Sequence, residues 1–226
     1  MLYLLDTADV AAIRRSFDLY PIAGVTTNPT LIAREKTEFL ALLREIRRII
    51  SVEAMLHVQA LSNTAPKIVA EAEYLTENVG GNLYIKIPVI PEGIKAMKIL
   101  KEKGIKTTAT AIFTPQQALM AAVAGAEFVA PYVNRLDNIC ADGVSVVGDI
   151  VTLLEMYHLP AKVLAASFKS VEQVHKVSLA GGQAITAGPE ILDALLKHPL
   201  TDASVAQFIQ DWEAVYGEGK VTADLA

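Results

Sequence analysis

The sequence has one cysteine, Cys140, so no disulfide can form within a single chain. Its four histidines fall into no Cys/His or His/carboxylate spacing that is typical of metal ligands. The G-x-S-x-G motif of many serine hydrolases is also missing. We therefore expect neither a metal nor another cofactor, and no nucleophilic serine of that kind.

Basic residues are not in excess either, because the net charge is -5 and the pI is near 5.4. A chain without surplus Lys and Arg has little general affinity for nucleic acid or anionic membranes. No apolar run approaches the roughly 18 residues that a membrane span needs, and no signal-peptide pattern opens the chain. We expect a soluble cytoplasmic protein with a small-molecule partner.

Aliphatic residues dominate instead, since 52% of the chain is hydrophobic and only 6% is aromatic. Short β-branched runs alternate with helical patterns, which is typical of parallel strands buried on both faces. The predicted strands cover residues 3–6, 23–28, 55–60, 83–89, 106–113, 128–133, 162–167 and 183–186. Eight such units predict a single (β/α)₈ barrel. An open doubly wound sheet is less favoured because no G-x-G-x-x-G turn follows the first strand.

The predicted helices cover residues 8–19, 38–50, 64–78, 92–103, 115–125, 145–157, 171–179 and 189–197, and residues 134–143 are predicted to form a loop. An additional amphipathic helix is predicted over about 202–216, within a single domain of residues 1–217. It either packs over one end of the barrel or contacts another subunit. Residues 218–226 form a short tail.

Lys86 is the most unusual residue of the predicted strands, because it interrupts the apolar run 83–89. Lysine is almost never fully buried without a partner. Either this lysine lies on an exposed strand face, or it is desolvated as a nucleophile for Schiff-base chemistry.

Polar residues also end most other strands, where barrel enzymes carry their catalytic groups. They are Asp6, Thr26, Asn28, Gln59, Thr110, Tyr132 and Ser167. Taken singly, the threonines are ordinary strand residues, Asn28 is an ordinary turn residue and Ser167 is a helix cap. Taken together, they favour covalent catalysis on a carbonyl compound.

In that chemistry Lys86 attacks a ketone, and the iminium allows a neighbouring carbon–carbon bond to break. Tyr132, Asp6, or a water held by Gln59 and Thr110 would carry protons. Arg135 either binds an anionic substrate tail with its planar guanidinium group or is a surface arginine.

Five motifs resemble those of the small transaldolase/fructose-6-phosphate aldolase family. They are residues 5–7 (LDT), 24–29 (GVTTNP), 85–88 (IKIP), 130–135 (APYVNR) and 163–169 (VLAASFK). The resemblance runs from residue 1 to about residue 217. It implies a (β/α)₈ barrel whose C-terminal helix reaches a neighbouring subunit, in pentamers that often stack as decamers.

The resemblance also implies a role for each residue that matches a family motif. Lys86 would be the Schiff-base lysine, and Asp6 would handle the substrate hydroxyl beside the cleaved bond. Thr26 and Asn28 would hold the dihydroxyacetone hydroxyls, and the remaining two matches, Arg135 and Ser167, would bind phosphate.

Gln59 and Tyr132 resemble the aldolase branch, because the transaldolases of this group have Glu and usually Phe at these positions. The expected reaction is reversible cleavage of fructose 6-phosphate to dihydroxyacetone and glyceraldehyde 3-phosphate. A transaldolase and a non-catalytic sugar-phosphate-binding barrel are the alternatives. His57 departs from the expected apolar or aromatic residue, and we expect it to be neutral and packed.

Overall fold

A computed structural model describes residues 1–225 as two compact units, Met1–Leu192 and a second that begins at Asp193. In the first unit, eight parallel strands close into a barrel in chain order, which confirms the predicted (β/α)₈ fold. The strands are β1 Leu2–Asp6, β2 Ile22–Thr26, β3 Met55–Gln59, β4 Leu83–Pro88, β5 Thr107–Ile112, β6 Phe128–Pro131, β7 Lys162–Ala165 and β8 Ala184–Ala187.

Helices connect successive strands. They are α1 Val10–Leu19, α2 Pro29–Arg34, α3 Phe39–Ile50, α4 Ala65–Val79, α5 Pro91–Glu102, α6 Pro115–Ala124, α7 Val133–Asp137, α8 Gly143–Met156, α9 Val171–Leu179, α10 Pro189–Leu196 and α11 Pro199–Tyr216. The two shortest, α2 and α7, are absent from the prediction because five or six residues are too few to show a helical period.

Helix α7 corrects the first part of the loop predicted at residues 134–143, since residues 134–137 are helical. Strand β6 ends at Pro131, and Tyr132 is the N-cap residue of the helix. Val133 and Leu136 are buried, and they lie three positions apart on one helical face. A single helical turn therefore buries both side chains where an extended loop would expose one of them.

Helix α2 begins at an Asn-Pro pair that also reads as a turn. The Asn28 side-chain oxygen accepts a hydrogen bond from the Leu31 amide at 3.0 Å, and Pro29 occupies the first helical turn. Both residues suit a helix start, because Asn caps the free amides and proline has no amide to leave unpaired. The pair thus starts a short helix directly after β2.

The barrel interior changes from apolar to polar along the strands. Its lower layer is a buried cluster of Leu4, Met55, Tyr84, Phe128, Leu164 and Ala184. Two residues further along, the same strand faces carry Asp6, His57, Lys86 and Thr186. The polar layer therefore lies at the carboxyl ends of the strands, as in other barrels of this type.

The second unit contains helix α11, which covers the predicted helix 202–216 and begins at Pro199. None of its residues is buried. A short 3₁₀ helix, Thr222–Asp224, follows in the tail, whose last residue, Ala226, lies outside the described residues. No helix described in residues 1–225 has both the length and the apolarity to cross a membrane.

Candidate active site

Six of the nine predicted site residues line one cavity of about 540 Å³. They are Asp6, Asn28, Lys86, Tyr132, Arg135 and Ser167. These residues lie at the ends of β1, β2, β4, β6 and β7 or in the segments that directly follow these strands. The carboxyl ends of parallel strands thus bring together groups that are up to 161 residues apart in the chain, from residue 6 to residue 167.

Lys86 is buried, with 6% of its surface exposed, so it does not lie on an exposed strand face. Its Nζ atom donates a hydrogen bond to the Thr27 carbonyl oxygen at 2.8 Å. That oxygen lies just beyond the end of β2, and the bond therefore spans strand β3. The main chain holds the amine at the cavity wall through an acceptor that carries no net charge.

Asp6 and Thr26 form a second polar group on the neighbouring strands. The Thr26 hydroxyl donates to the Asp6 carboxylate at 2.7 Å, and its oxygen lies 2.7 Å from the Thr186 hydroxyl. Thr26 is fully buried and does not line the cavity itself. Its hydrogen bond orients the Asp6 carboxylate. Thr186 is the third member of this group, and the sequence interpretation missed it.

Tyr132 lies across the cavity beside Thr110, and their hydroxyl oxygens are 3.0 Å apart. The pairing of β5 with β6 shifts register between Ala109 and Ile112, and Ala111 has a φ of 59°. A left-handed non-glycine residue stores strain of about 1–3 kcal/mol, and such bulges re-aim side chains beside active sites. This irregular backbone directly follows Thr110, the residue whose hydroxyl contacts the Tyr132 phenol.

Arg135 follows Tyr132 by less than one helical turn. Its guanidinium carbon lies 4.6 Å from the centre of the Tyr132 ring, close enough for a cation–π interaction. Ser167, also on the cavity wall, has a φ of 64°, and its carbonyl oxygen accepts the Asn134 amide at 2.8 Å. Arg135 and Ser167 are thus brought to the same cavity from separate strands.

Two further cationic residues line the cavity and were missed by the sequence interpretation, namely Arg34 and Lys169. Arg34 belongs to helix α2, which was not predicted, whereas Lys169 ends a motif that was noticed for other residues. With Lys86 and Arg135 they make four cations in the lining, against the carboxylates of Asp6 and Glu190. The balance favours an anionic ligand.

Gln59, like Thr26 and Thr110, is not among the residues that line the Lys86 cavity. It pairs directly with Lys86 between β3 and β4, but it lines a neighbouring cavity of about 500 Å³. Asn28 contributes to both cavities.

His57 is fully buried in the barrel and packs against aromatic rings. It stacks on Tyr84 with ring centres 4.6 Å apart, and its Nδ1 atom lies 2.9 Å from the Thr108 hydroxyl oxygen. Burial, and then the charge of Lys86, hold the pKa of His57 well below 6.5. The expectation that His57 is packed in the interior is confirmed.

Within residues 1–225, no three His, Cys, Asp or Glu side chains cluster in a way that could hold a metal ion.

Comparison with known proteins gives a consistent result over nearly the whole chain. A family model described as transaldolase/fructose-6-phosphate aldolase matches residues 3–220. A protein named "Probable transaldolase" from Moorella thermoacetica is 44% identical over 215 residues, which is 95% of this chain and 99% of the relative. Proteins of the same name from Dictyoglomus turgidum and Geotalea daltonii are 42% and 41% identical, with the same coverage.

A solved structure of a mandelate oxidase mutant is similar in fold alone, with a TM-score of 0.57 and 12% identity. The match covers 84% of this chain and 64% of that longer chain.

Proposed function

The chain belongs to the transaldolase/fructose-6-phosphate aldolase family, and we propose that it is a Schiff-base aldolase that reversibly cleaves fructose 6-phosphate to dihydroxyacetone and glyceraldehyde 3-phosphate. The observation that carries the proposal is the buried Lys86 amine in the wall of a cavity that also contains Asp6, Tyr132 and Arg135. An amine, a carboxylate, a phenol and a phosphate-binding cation are the groups that this reaction requires.

The reaction begins when Lys86 Nζ attacks the C2 carbonyl of the open-chain ketose. The carbinolamine loses water to give an iminium, which accepts the electron pair of the C3–C4 bond when that bond breaks. Asp6 takes the proton of the C4 hydroxyl, and glyceraldehyde 3-phosphate leaves. The remaining three-carbon enamine is bound to Lys86.

Tyr132 then returns a proton to C3 of the enamine, and water hydrolyses the resulting iminium to release dihydroxyacetone. Thr110, 3.0 Å from the phenol oxygen, keeps the hydroxyl of Tyr132 in place. Asn28 would hold hydroxyls of the three-carbon portion, and Thr26, which donates a hydrogen bond to Asp6, would keep that carboxylate in place. Arg135 and Ser167 would bind the phosphate at the other end of the sugar.

A transaldolase is the second candidate, and two observations favour it. The curated relatives at 41–44% identity are named "Probable transaldolase". In addition, Gln59 does not line the Lys86 cavity, so its part in holding the hydrolytic water has less support than the part of Tyr132 in returning the proton. A transaldolase keeps the enamine until a second aldehyde, such as erythrose 4-phosphate, accepts the three-carbon unit.

The two candidates differ in their need for an acceptor aldehyde. The purified chain is incubated with fructose 6-phosphate, with and without erythrose 4-phosphate, and glyceraldehyde 3-phosphate and free dihydroxyacetone are measured. We expect both products without the acceptor. Product formation that requires the acceptor would identify a transaldolase, and sugar-phosphate binding without turnover would identify a non-catalytic barrel. A Lys86→Arg chain is the matched control for contaminating activity.

We also propose that the chain is a cytoplasmic homo-oligomer, a pentamer or a decamer, in which α11 contacts a neighbouring subunit. The exposed apolar side chains of this helix support the proposal, with Phe208 69% and Ile209 53% exposed.

A further inference from the structure

Thr186 is a buried residue of β8 that has no part in the proposed reaction as described above. Its side chain lines the Lys86 cavity, yet only 2% of its surface is exposed. Its hydroxyl oxygen lies 2.7 Å from that of Thr26, which is fully buried. Within residues 1–225 this contact is the only hydrogen bond of the Thr186 side chain. A buried hydroxyl with one partner depends on that partner to offset its loss of water.

The protons available on the three side chains fix the direction of both hydrogen bonds. An ionised carboxylate can only accept, so the Thr26 hydroxyl donates its single proton to Asp6 at 2.7 Å. Thr26 then has no proton left for Thr186. The Thr186 hydroxyl therefore donates to the Thr26 oxygen, and the two bonds form a chain that runs from Thr186 through Thr26 to Asp6.

The three members of this chain lie on three neighbouring strands. Thr26 pairs with Asp6 between β1 and β2, and Thr186 pairs with Leu4 between β1 and β8. The contact between the two hydroxyls thus passes across β1, the strand that carries Asp6. In an open sheet β8 would not adjoin β1, so it is the closed barrel that brings the donor to Thr26.

We propose that Thr186 is a positioning residue for the aldol cleavage and that it acts on Asp6 through Thr26. The inference rests on the proposed Schiff-base function. Because Thr186 donates to the Thr26 oxygen, the Thr26 proton stays directed at the carboxylate, and consecutive hydrogen bonds in a buried chain strengthen one another. Asp6 is thereby held where it takes the proton of the C4 hydroxyl, while the electron pair of the C3–C4 bond passes to the iminium.

A role in packing alone is the alternative that the test must separate. Valine keeps the branched shape of threonine and lacks the hydroxyl, whereas serine keeps the hydroxyl and lacks the methyl group. A side chain that only fills space is replaced better by valine, and one that acts through its hydroxyl is replaced better by serine. Thr186→Val and Thr186→Ser therefore form a matched pair, and Thr186→Ala is a second variant without the hydroxyl.

The first test measures kcat and KM for cleavage of fructose 6-phosphate in the wild type and the three variants. We expect kcat to fall about 3–10-fold in Thr186→Val, the effect of losing one hydrogen bond in a buried polar group. Thr186→Ala should fall at least as far, and Thr186→Ser should recover most of kcat. KM should change little, because Arg135 and Ser167 still bind the phosphate. Borohydride trapping of dihydroxyacetone should persist in all of them, since this compound has no C4 hydroxyl.

The second test asks whether the effect passes through Thr26. Thr26→Val removes the hydroxyl that links Thr186 to Asp6, so Thr186→Val should lower kcat no further on that background. Urea unfolding of the same four proteins reads the contact without using activity. The double variant should lose less free energy of unfolding than the sum of the two single variants, because the bond between the hydroxyls is lost only once.

Four outcomes overturn the inference. They are an unchanged kcat in Thr186→Val, a serine variant no better than the valine variant, an equal fall in kcat when Thr26 is already valine, and additive losses of stability. Thermal melts show that each variant is folded. If the wild type neither traps dihydroxyacetone nor cleaves fructose 6-phosphate, the proposed function fails. A wild type that does both, with an unaffected Thr186→Val chain, refutes only the role of Thr186.

Discussion

Lys86 Nζ donates its hydrogen bond to the carbonyl oxygen of Thr27, two strands away around the barrel and at a distance of 2.8 Å. The acceptor belongs to the main chain, so its position depends on the barrel and not on a rotamer. A carbonyl oxygen orients the amine without pairing it with a carboxylate, which would compete with the substrate for the charged nitrogen. The barrel thus fixes the position of the amine that we propose as the nucleophile before any substrate binds.

The contact between Tyr132 and Thr110 predicts how the enamine is discharged. Tyr132→Phe removes the phenol that returns the proton, so we expect cleavage of fructose 6-phosphate to fall by about 10²-fold or more. Trapping of dihydroxyacetone on Lys86 should persist, and the ratio of transfer to cleavage in the presence of erythrose 4-phosphate should rise. Thr110→Val, which removes only the partner, should give a smaller loss in the same assay.

A phenylalanine variant with unchanged cleavage would assign the proton transfer to another group.

Arg135 predicts the dependence on the substrate phosphate. Arg135→Met should raise KM for fructose 6-phosphate by about 10–100-fold, since a charge-assisted contact is lost. KM for unphosphorylated fructose should change little. Arg48→Met serves as the control, because Arg48 is an exposed residue of α3 that pairs with Glu45 and does not line the cavity. Equal effects on both sugars would contradict a phosphate-binding role.

His57 predicts a loss of stability in acid. The native pKa of His57 lies well below 6.5, because of burial and the charge of Lys86, whereas the unfolded residue titrates near 6.5. Below that pH the unfolded chain binds one more proton than the native chain. The free energy of unfolding should therefore fall by about 1.4 kcal/mol per pH unit as the pH drops below about 6, until the native ring titrates.

Urea denaturation between pH 7 and pH 5 measures this slope, and His57→Phe provides the comparison. In the variant, the slope of the unfolding free energy against pH should be smaller by the contribution of one proton, about 1.4 kcal/mol per pH unit. The same slope in both proteins would show that His57 is not the titrating group.

The exposed apolar residues of α11 predict its contribution to assembly. Phe208→Asp combined with Ile209→Asp should reduce the mass of the particle in solution, measured by light scattering, because charged residues are costly in an apolar interface. Gln210→Asp adds a charge on the same helix and should leave the mass unchanged. A wild-type monomer, or an oligomer that withstands the double substitution, would argue against contact through α11.

The barrel could be predicted because its strands are short, apolar and regularly separated by helical patterns. The short helices α2 and α7 could not be predicted, because five or six residues show no helical period. In addition, the pair Asn28-Pro29 before α2 is compatible with either a turn or a helix start. Their absence from the prediction also concealed Arg34, which a helix brings to the cavity wall.

The polar ends of the strands predicted the cavity well, because parallel strands in a barrel converge at one edge. Gln59 pairs with Lys86 in the sheet, but it is not among the residues that line the Lys86 cavity, and the sequence does not show which strand-end residues will line it. The stacking of His57 on Tyr84 likewise depends on contacts between strands that no local pattern encodes.

The most direct test of the account is reduction with borohydride in the presence of dihydroxyacetone, followed by peptide mass spectrometry. The account predicts a single adduct on the peptide that contains Lys86, and its loss, together with all cleavage of fructose 6-phosphate, in Lys86→Arg. An unmodified Lys86 in a chain that still turns over fructose 6-phosphate would contradict it.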